Sequence, residues 1–124
     1  KKNLEHLNNS MEIINKGIKY FDENIERPTY FVWSNNFDNL DKFFSASKFI
    51  LVKDNVNKDP AYDLYSMSLC KHYILSPSTL HYWAACLCSN KSKICLGPKN
   101  IKNKSGFYGF SNNRDIKPSW WENI

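Results

Sequence analysis

One stretch near the middle of the chain restricts the possible folds more than any other. It predicts a helix over 61–71, a short buried strand over 73–75, a Ser-Pro break and a second helix over 78–88. The second helix opens on two hydroxyl residues, Ser78 and Thr79. Because a helix start presents free backbone N–H groups and the positive end of its dipole, it favours anions, and phosphates above all. The stretch therefore predicts an anion-binding strand–turn–helix unit.

Helical and strand-like segments alternate along the rest of the chain. Apolar residues at spacings of three and four predict helices, and short runs rich in β-branched and aromatic residues predict strands. These further segments are helices over 3–25, 37–44 and from 118 onward, and strands over 29–34, 48–53 and 93–96. Alternation of this kind implies right-handed βαβ units, and strands apolar on both faces suit a sheet covered by helices on each side. We therefore expect a Rossmann-like, three-layer α/β/α fold with a mostly parallel sheet.

Size and charge narrow the classes of function. The 124 residues, of which 42% are hydrophobic, suit a single folded domain with a modest core. The formal charge of +5 comes from lysines between 91 and 104, so we expect a local basic rim rather than a surface for nucleic acid. No apolar run is long enough to span a bilayer, and Lys1-Lys2 does not open a signal peptide. These features favour a cytoplasmic protein.

The cysteines leave two interpretations. Cys70, Cys86, Cys88 and Cys95 could form two disulfides, but each lies within an apolar helix or strand pattern. That placement favours buried free thiols and a reducing compartment. Cys86-x-Cys88 lacks the spacing of a zinc site and has no matching Cys or His pair, so no metal site is expected.

The ends of the predicted strands indicate where a ligand would bind. In open parallel sheets, ligands bind beyond the carboxyl ends of the strands. Ser34, Asp54, Ser76 and Gly97 all fall at such ends. We expect these residues to form the rim of a nucleotide or nucleotide-sugar pocket.

Two linked motifs point to a family. The first is Asp63-Leu64-Tyr65-x-Met67-Ser68-Leu69-Cys70-Lys71-His72-x-Ile74, and the second is Ser78-Thr79-x-x-x-Trp83-x-Ala85-x-Leu87. Together with Phe31-Val32-Trp33-Ser34, Asp54-Asn55 and Pro118-x-Trp120-x-x-Ile124, this pattern resembles the carboxyl-terminal, nucleotide-binding part of the bacterial α-1,2-fucosyltransferases, a glycosyltransferase family 11-like group. The resemblance extends from about Leu4 to the end of the chain.

The resemblance implies the donor-binding half of an inverting GT-B glycosyltransferase, which transfers fucose from GDP-fucose to a glycan hydroxyl without an obligatory metal. It assigns guanine recognition to Asp63, since a carboxylate can accept hydrogen bonds from both N1–H and the 2-amino group. Ser78 and Thr79 match the turn that contacts the phosphates, while His81 and Ser34 are weaker candidates for the same GDP-fucose site.

Each candidate also has a purely structural interpretation. Asp63 could be an ordinary acid of a helix N-terminus, and Ser78 with Thr79 could form a helix N-cap. His81 could be a packing or solvated residue. We expect the neighbouring residues of the motif to be structural: His72 at the start of a buried strand, and Tyr82 and Trp83 in the core.

The chain also departs from the family pattern. Asn35-Asn36 replaces an acidic pair, and Pro77 and residues 80–82 differ from the usual turn. The family's His-x-Arg-x-Gly-Asp-Tyr segment, whose arginine binds the donor pyrophosphate, does not occur in these residues. We therefore expect an inactive fragment whose partners are GDP-fucose, an acceptor glycan and the amino-terminal part of the same enzyme. The parent enzyme would lie in the cytoplasm, with peripheral association at the inner membrane face. No catalytic base can be assigned.

A different class of protein fits the same departures. A diverged, non-catalytic α/β domain could have lost the usual turn through relaxed constraint at Pro77 and residues 80–82. Such a domain would serve as an interaction or carbohydrate-binding module. Nucleotide binding separates the two hypotheses, because only the transferase should prefer GDP to ADP.

Overall fold

A computed structural model describes residues 2–53, 59–75, 79–97 and 121–123, with side chains for 11–53, 59–75 and 80–97. The helices and strands of these parts alternate along the chain. They are α1 (Lys2–Asn24), β1 (Tyr30–Val32), a 3-10 helix (Leu40–Lys42), β2 (Phe49–Leu51), α2 (Pro60–Ser68), β3 (Tyr73–Ile74), α3 (Thr79–Leu87), β4 (Cys95–Gly97) and β5 (Trp121–Asn123). Up to β4, each predicted segment overlaps an observed helix or strand, although the helix predicted over 37–44 is only the 3-10 helix Leu40–Lys42.

The strands form two small sheets, and every pairing within them is parallel. β1 pairs with β2, with Phe31 opposite Ile50, while β3, β4 and β5 form the second sheet in that order. The prediction of parallel pairing is confirmed within the described residues, and β3–α3–β4 is a parallel βαβ unit. The structure differs from the predicted single sheet covered on both faces. Its described strands form two sheets, and Phe31 and Ile50 in the first sheet are 49% and 44% exposed. The apolar patterns predicted the strands β1 and β2 correctly. The prediction that helices cover both faces of these strands does not hold at Phe31 and Ile50.

The predicted helix at the end of the chain is wrong for residues 121–123. Trp121–Asn123 is β5, which pairs with β4 in the register Cys95↔Trp121 and Gly97↔Asn123. Pro118 is favourable at a helix start, but the open edge of β4 offers backbone donors and acceptors that must find partners. Long-range pairing therefore outweighs the local signal, and residues 118–120 lie outside the described part.

β3 lies between layers that pack on its opposite faces. Tyr73 belongs to a buried cluster with Leu75, Ala85 and Cys95 on one side. Ile74 faces the other side, where α1 approaches so closely that a Cβ built at Gly17 would lie 2.7 Å from Cγ1 and 2.9 Å from Cγ2 of Ile74. Successive strand residues point to opposite faces, so two residues suffice to anchor both layers.

Hydrogen bonds tie α1 to the amino-terminal ends of β1 and β2. The Tyr30 hydroxyl donates to Asp22 Oδ1 at 2.9 Å, and Lys48 Nζ donates to Asp22 Oδ2 at 2.7 Å. The hydrogen bond from Lys48 holds the pKa of Asp22 below its usual range. Burial, reinforced by the hydrogen bond to Asp22, raises the pKa of Tyr30, so its hydroxyl stays a proton donor.

A second group of bonds secures the amino-terminal ends of β3 and β4. The Ile94 N–H donates to His72 Nδ1 at 3.0 Å, which confirms the structural role predicted for His72. Lys93 Nζ donates to the carbonyls of Ala85 at 2.8 Å and Cys88 at 3.2 Å. A cation at the carboxyl end of α3 complements the helix dipole.

The cysteines are free thiols. Cys88 and Cys95 are buried, whereas Cys70 and Cys86 are only partly so. The Cys88 thiol donates to the Cys70 carbonyl at 3.2 Å, and burial raises the pKa of the Cys70 thiol. These thiols pack as small apolar residues with a weak donor.

Gly17→Ala should destabilise the fold by roughly 1–3 kcal/mol, because the added methyl group collides with a branched side chain in a packed layer. Helix propensity alone predicts a gain of about 1 kcal/mol from the same change. Asn15→Ala, at an exposed position of α1, is the matched control and should not destabilise. Urea unfolding measures both, and equal stability of the two variants would contradict the close contact.

Stability should fall as the pH drops through the imidazole range, and His72 should carry part of that loss. Burial, followed by the charge of Lys71, lowers the pKa of His72 from 6.5. A lowered folded-state pKa means that the contribution is complete above pH 6.5 and is lost as the pH falls through the folded-state value. Protonation also turns Nδ1 into a donor facing the Ile94 N–H. Urea unfolding from pH 8 to 5 should show a shallower pH dependence for His72→Gln than for wild type; parallel profiles would contradict this.

Candidate functional site

The candidate site lies at the carboxyl-terminal ends of the strands. In each parallel sheet these ends share one edge, marked by Val32, Leu51, Ile74 and Gly97. The opposite edge carries the bonds of Asp22, His72 and Lys93 described above. α2 and α3 begin after the carboxyl ends of β2 and β3, so their first turns belong to the candidate edge. Ligands of open α/β sheets bind at this edge.

Ser34 follows β1 and is exposed. Its hydroxyl oxygen accepts from the Asn36 N–H at 3.2 Å, and the hydroxyl also donates to the Asn36 carbonyl at 2.8 Å. Asn36 Oδ1 in turn accepts from the Asp38 N–H at 2.8 Å. The Ser34 side chain therefore shapes a turn at the predicted edge, and the sequence signal for a strand-end residue is correct in position.

Asp63 lies in the first turn of α2 and is half-buried. The N-cap of that helix is a different residue, Asp59, whose carboxylate accepts from the Ala61 N–H at 3.0 Å, with Pro60 at the first helical position. Capping is therefore carried out by Asp59. Asp63 lies near the positive end of the helix dipole, a position that favours an acidic side chain.

The predicted phosphate turn is described only in part. α3 begins at Thr79, which confirms that a helix starts where the sequence predicted one. Ser78, Ser76 and Asp54 lie outside the described residues, as does the side chain of Thr79. Gly97, the last rim candidate, is the buried final residue of β4.

His81 lies in the first turns of α3 and lines a cavity of about 930 Å³ between α1, α2 and the two sheets. The walls are mainly apolar, as at Phe21, Phe31 and Tyr73. Burial lowers the pKa of His81, so the imidazole is neutral near pH 7 and offers one donor and one acceptor. Ser34 and Asp63 do not line this cavity. His81 is therefore the described candidate whose side chain lines the cavity.

Trp33 was overlooked as a candidate. It follows β1 and lines the same cavity as His81. Its buried indole Nε1–H has no hydrogen-bond partner within the described part of the chain, which is costly for a buried donor. Its position directly after a strand is the sequence signal for a residue at the candidate edge. A strand pattern cannot show whether the indole N–H has a hydrogen-bond partner.

Two residues of the α3 motif behave differently. Tyr82 is partly buried and packs against the core cluster, as predicted. The prediction that Trp83 lies in the core is wrong, because it is 57% exposed. Ala84 and Ala85 take the inner positions of α3 and have no exposed surface. Trp83 precedes them on the helix and is turned toward solvent, because adjacent helical residues do not share one face.

The described residues contain no cluster of three or more His, Cys, Asp or Glu arranged to hold a metal ion. Within the same residues, no helix combines the length and apolarity needed to cross a bilayer. The predicted basic rim is described only at its start, where Lys93 caps α3 and Lys91 is exposed.

Comparison with known proteins gives one match. The family model described as Glycosyl transferase family 11 matches residues 1–123. No curated protein and no solved structure matches the chain.

Proposed function

The chain belongs to glycosyl transferase family 11, and from that premise we propose that it is the GDP-fucose-binding part of a fucosyltransferase. The enzyme would transfer fucose from GDP-fucose to a glycan hydroxyl in α-1,2 linkage. The observation that carries this proposal is the family match over residues 1–123, which includes the α2–β3–α3 unit. Free thiols favour a reducing, cytoplasmic location.

The position of Asp63 supports a guanine site. It lies in the first turn of α2, at the same edge as the start of α3. The N-cap of α2 is Asp59, so Asp63 is not the capping residue of this helix. A carboxylate there can accept hydrogen bonds from N1–H and the 2-amino group of guanine, whereas adenine offers no such pair.

The start of α3 supports a pyrophosphate site. The backbone N–H groups of its first turn and its dipole would stabilise the negative charge that grows on GDP as the bond to fucose breaks. Ser78 and Thr79 would add hydroxyl donors. His81, kept neutral by burial, would contribute a hydrogen bond rather than a positive charge. Ser34 would border the pocket from the turn after β1.

For the transfer step itself, the family pattern assigns no general base among these residues. In an inverting reaction a general base removes the proton of the acceptor hydroxyl, which attacks the fucose carbon while GDP leaves from the opposite side. The arginines of this sequence are Arg27 and Arg114, and neither lies in a His-x-Arg-x-Gly-Asp-Tyr segment. We therefore propose that the 124 residues bind the donor without transferring it.

GDP should bind more tightly than ADP, and Asp63→Ala should remove the difference. Loss of hydrogen bonds to a charged acceptor costs about 1.5–3 kcal/mol, so GDP affinity should fall roughly 10- to 100-fold. Glu23→Gln, which removes an exposed charge near the end of α1 and away from the proposed edge, is the control and should bind GDP as wild type does. Isothermal titration with both nucleotides checks this. Equal and negligible binding of GDP and ADP by wild type would favour a non-catalytic domain.

The same 124-residue polypeptide should neither hydrolyse GDP-fucose nor transfer fucose to lactose or other galactosides. The expected result is no GDP above the enzyme-free rate, measured by chromatography in samples whose GDP binding has been verified by titration. Verified binding separates a folded, inactive domain from a misfolded one. Steady release of GDP that requires the protein would overturn the proposed inactivity.

A further inference from the structure

β1 has one paired side and one open side. The Tyr30 N–H donates to the Lys48 carbonyl at 2.8 Å, and the Val52 N–H donates to the Val32 carbonyl at 2.9 Å. These bonds join β1 to β2, which is its partner strand within the described residues. Backbone groups of successive strand residues point to alternate sides, so the N–H and carbonyl of Phe31 point away from β2.

β3 has the same arrangement. The Tyr73 N–H donates to the Ile94 carbonyl at 2.9 Å, and the Leu75 N–H donates to the Leu96 carbonyl at 2.8 Å, so β4 is its partner on one side. The N–H and carbonyl of Ile74 therefore point to the other side, where the described residues provide no strand. Backbone donors and acceptors of this kind need partners when they are buried.

The open sides of β1 and β3 border one cavity. Phe31 and Ile74 both line the cavity of about 930 Å³ into which His81 also points no charge. α1 covers this cavity, and its residues Ile14 and Ile18 line it one turn apart. This apolar stripe of α1 therefore lies over a gap between two sheets rather than over a continuous sheet.

β1 and β3 start at the same turn of α1. The Asp22 carboxylate accepts from the hydroxyl of Tyr30, the first residue of β1, at 2.9 Å. The Phe21 ring lies 5.6 Å from the ring of His72, which directly precedes β3, measured between ring centroids. The two open strands are therefore aligned at their amino-terminal ends, as neighbours of a common third strand would be.

A third strand that is parallel to β1 and β3 would end on the side where α1 begins. Ile74 contacts Gly17, one turn closer to the start of α1 than Phe21 is, so β3 runs antiparallel to α1. The segment that leads into α1 would fill the gap and continue, through α1, into β1 as a βαβ unit. The strand order would become β2-β1-new strand-β3-β4-β5, which is the 3-2-1-4-5-6 order of the doubly wound fold.

The chemistry of the gap selects an extended polypeptide. A small apolar ligand would contact α1 but would leave the backbone groups of Phe31 and Ile74 unpaired, whereas an added strand pairs with both. A backbone in the cavity would also bring carbonyl oxygens to the side lined by Trp33, whose buried indole N–H has no hydrogen-bond partner within the described residues. We propose that one segment of the same protein, preceding α1, inserts between β1 and β3 as a parallel strand and joins the two sheets into one.

The source of this strand rests on the proposed function, in which these residues are part of a longer enzyme, but the gap itself does not. Because α1 covers one face of the gap and Ala84 of α3 lines it from elsewhere, the strand would be apolar on both faces, as central strands of parallel sheets are.

Backbone hydrogen exchange tests whether the gap is open in the 124-residue chain. The amides of Phe31 and Ile74 should exchange more than about tenfold faster than those of Tyr30 and Tyr73, which donate within the sheets. Nuclear magnetic resonance of the isotope-labelled chain measures all four. Equal protection of the four amides would show that the edges are already paired, and would overturn the proposal.

A strand fused before Lys1 tests the insertion itself. The probe is the β-branched run Val-Ile-Val-Thr-Val, joined to the chain through a Gly-Ser linker. It should slow exchange of the Phe31 and Ile74 amides more than about tenfold and raise the urea midpoint. The control fusion has Pro at the centre of the run, which cannot donate to a strand ladder, and should do neither.

Two variants of the fused protein locate the strand. Ile14→Lys places a charge in the gap and should remove the added protection, because the charge would be buried without a partner. Ile13→Lys makes the same change at a half-buried neighbour that does not line the gap, and should keep the protection. Circular dichroism verifies folding, and Ile18→Lys repeats the test if Ile14→Lys fails to fold.

Three results would reject the inserted strand: no added protection in the fusion, equal protection by the proline control, and full protection in Ile14→Lys. GDP titration of the same proteins keeps this test separate from that of the donor site, since Asp63 does not line the gap. GDP binding without added protection would reject the strand alone, and protection without GDP binding would reject the donor site alone.

Discussion

The two residues of β3 hold the layers of the molecule together. On one face, the Tyr73 hydroxyl donates to the carbonyls of Met67 at 2.7 Å and Cys70 at 3.1 Å, which fixes the end of α2. Burial raises the pKa of Tyr73, so the hydroxyl stays protonated and keeps donating. On the other face, Ile74 packs against Gly17 of α1. Because consecutive strand residues point in opposite directions, one short strand positions both layers.

The carboxyl edge of the strands, where the donor site is proposed, lies opposite the edge at which α1 is tied to the sheets. Asp22, His72 and Lys93 make their side-chain bonds where the strands begin. Where the strands end, the Ser34 hydroxyl shapes a turn, Asp59 caps α2, and Lys53 pairs with Asp41 at 3.6 Å. A parallel sheet produces this arrangement, since all its strands start at one edge and finish at the other.

The sequence predicted the order of helices and strands well, but it predicted less well which of their side chains are buried. Periodicity located α1, and a Ser-Pro break located the start of α3. Trp83 was predicted in the core because it is large and apolar, yet the small residues Ala84 and Ala85 take the inner positions. At the site, the motif placed Asp63 correctly in a helix start but could not reveal that Asp59 is the cap. The motif also could not show that His81 lines the cavity whereas Ser34 lies outside it.

The sequence by itself determined the local structure and the family, because helix periodicity, strand runs and the 63–87 motif depend on residues close together in the chain. Only the tertiary structure decided which side chains are covered and which edges are paired. Trp121–Asn123 became a strand because β4 offered an open edge, and Phe31 and Trp83 stayed exposed because no described layer lies over them. Burial and pairing depend on the surfaces that distant segments bring together, and that information is absent from any single stretch of sequence.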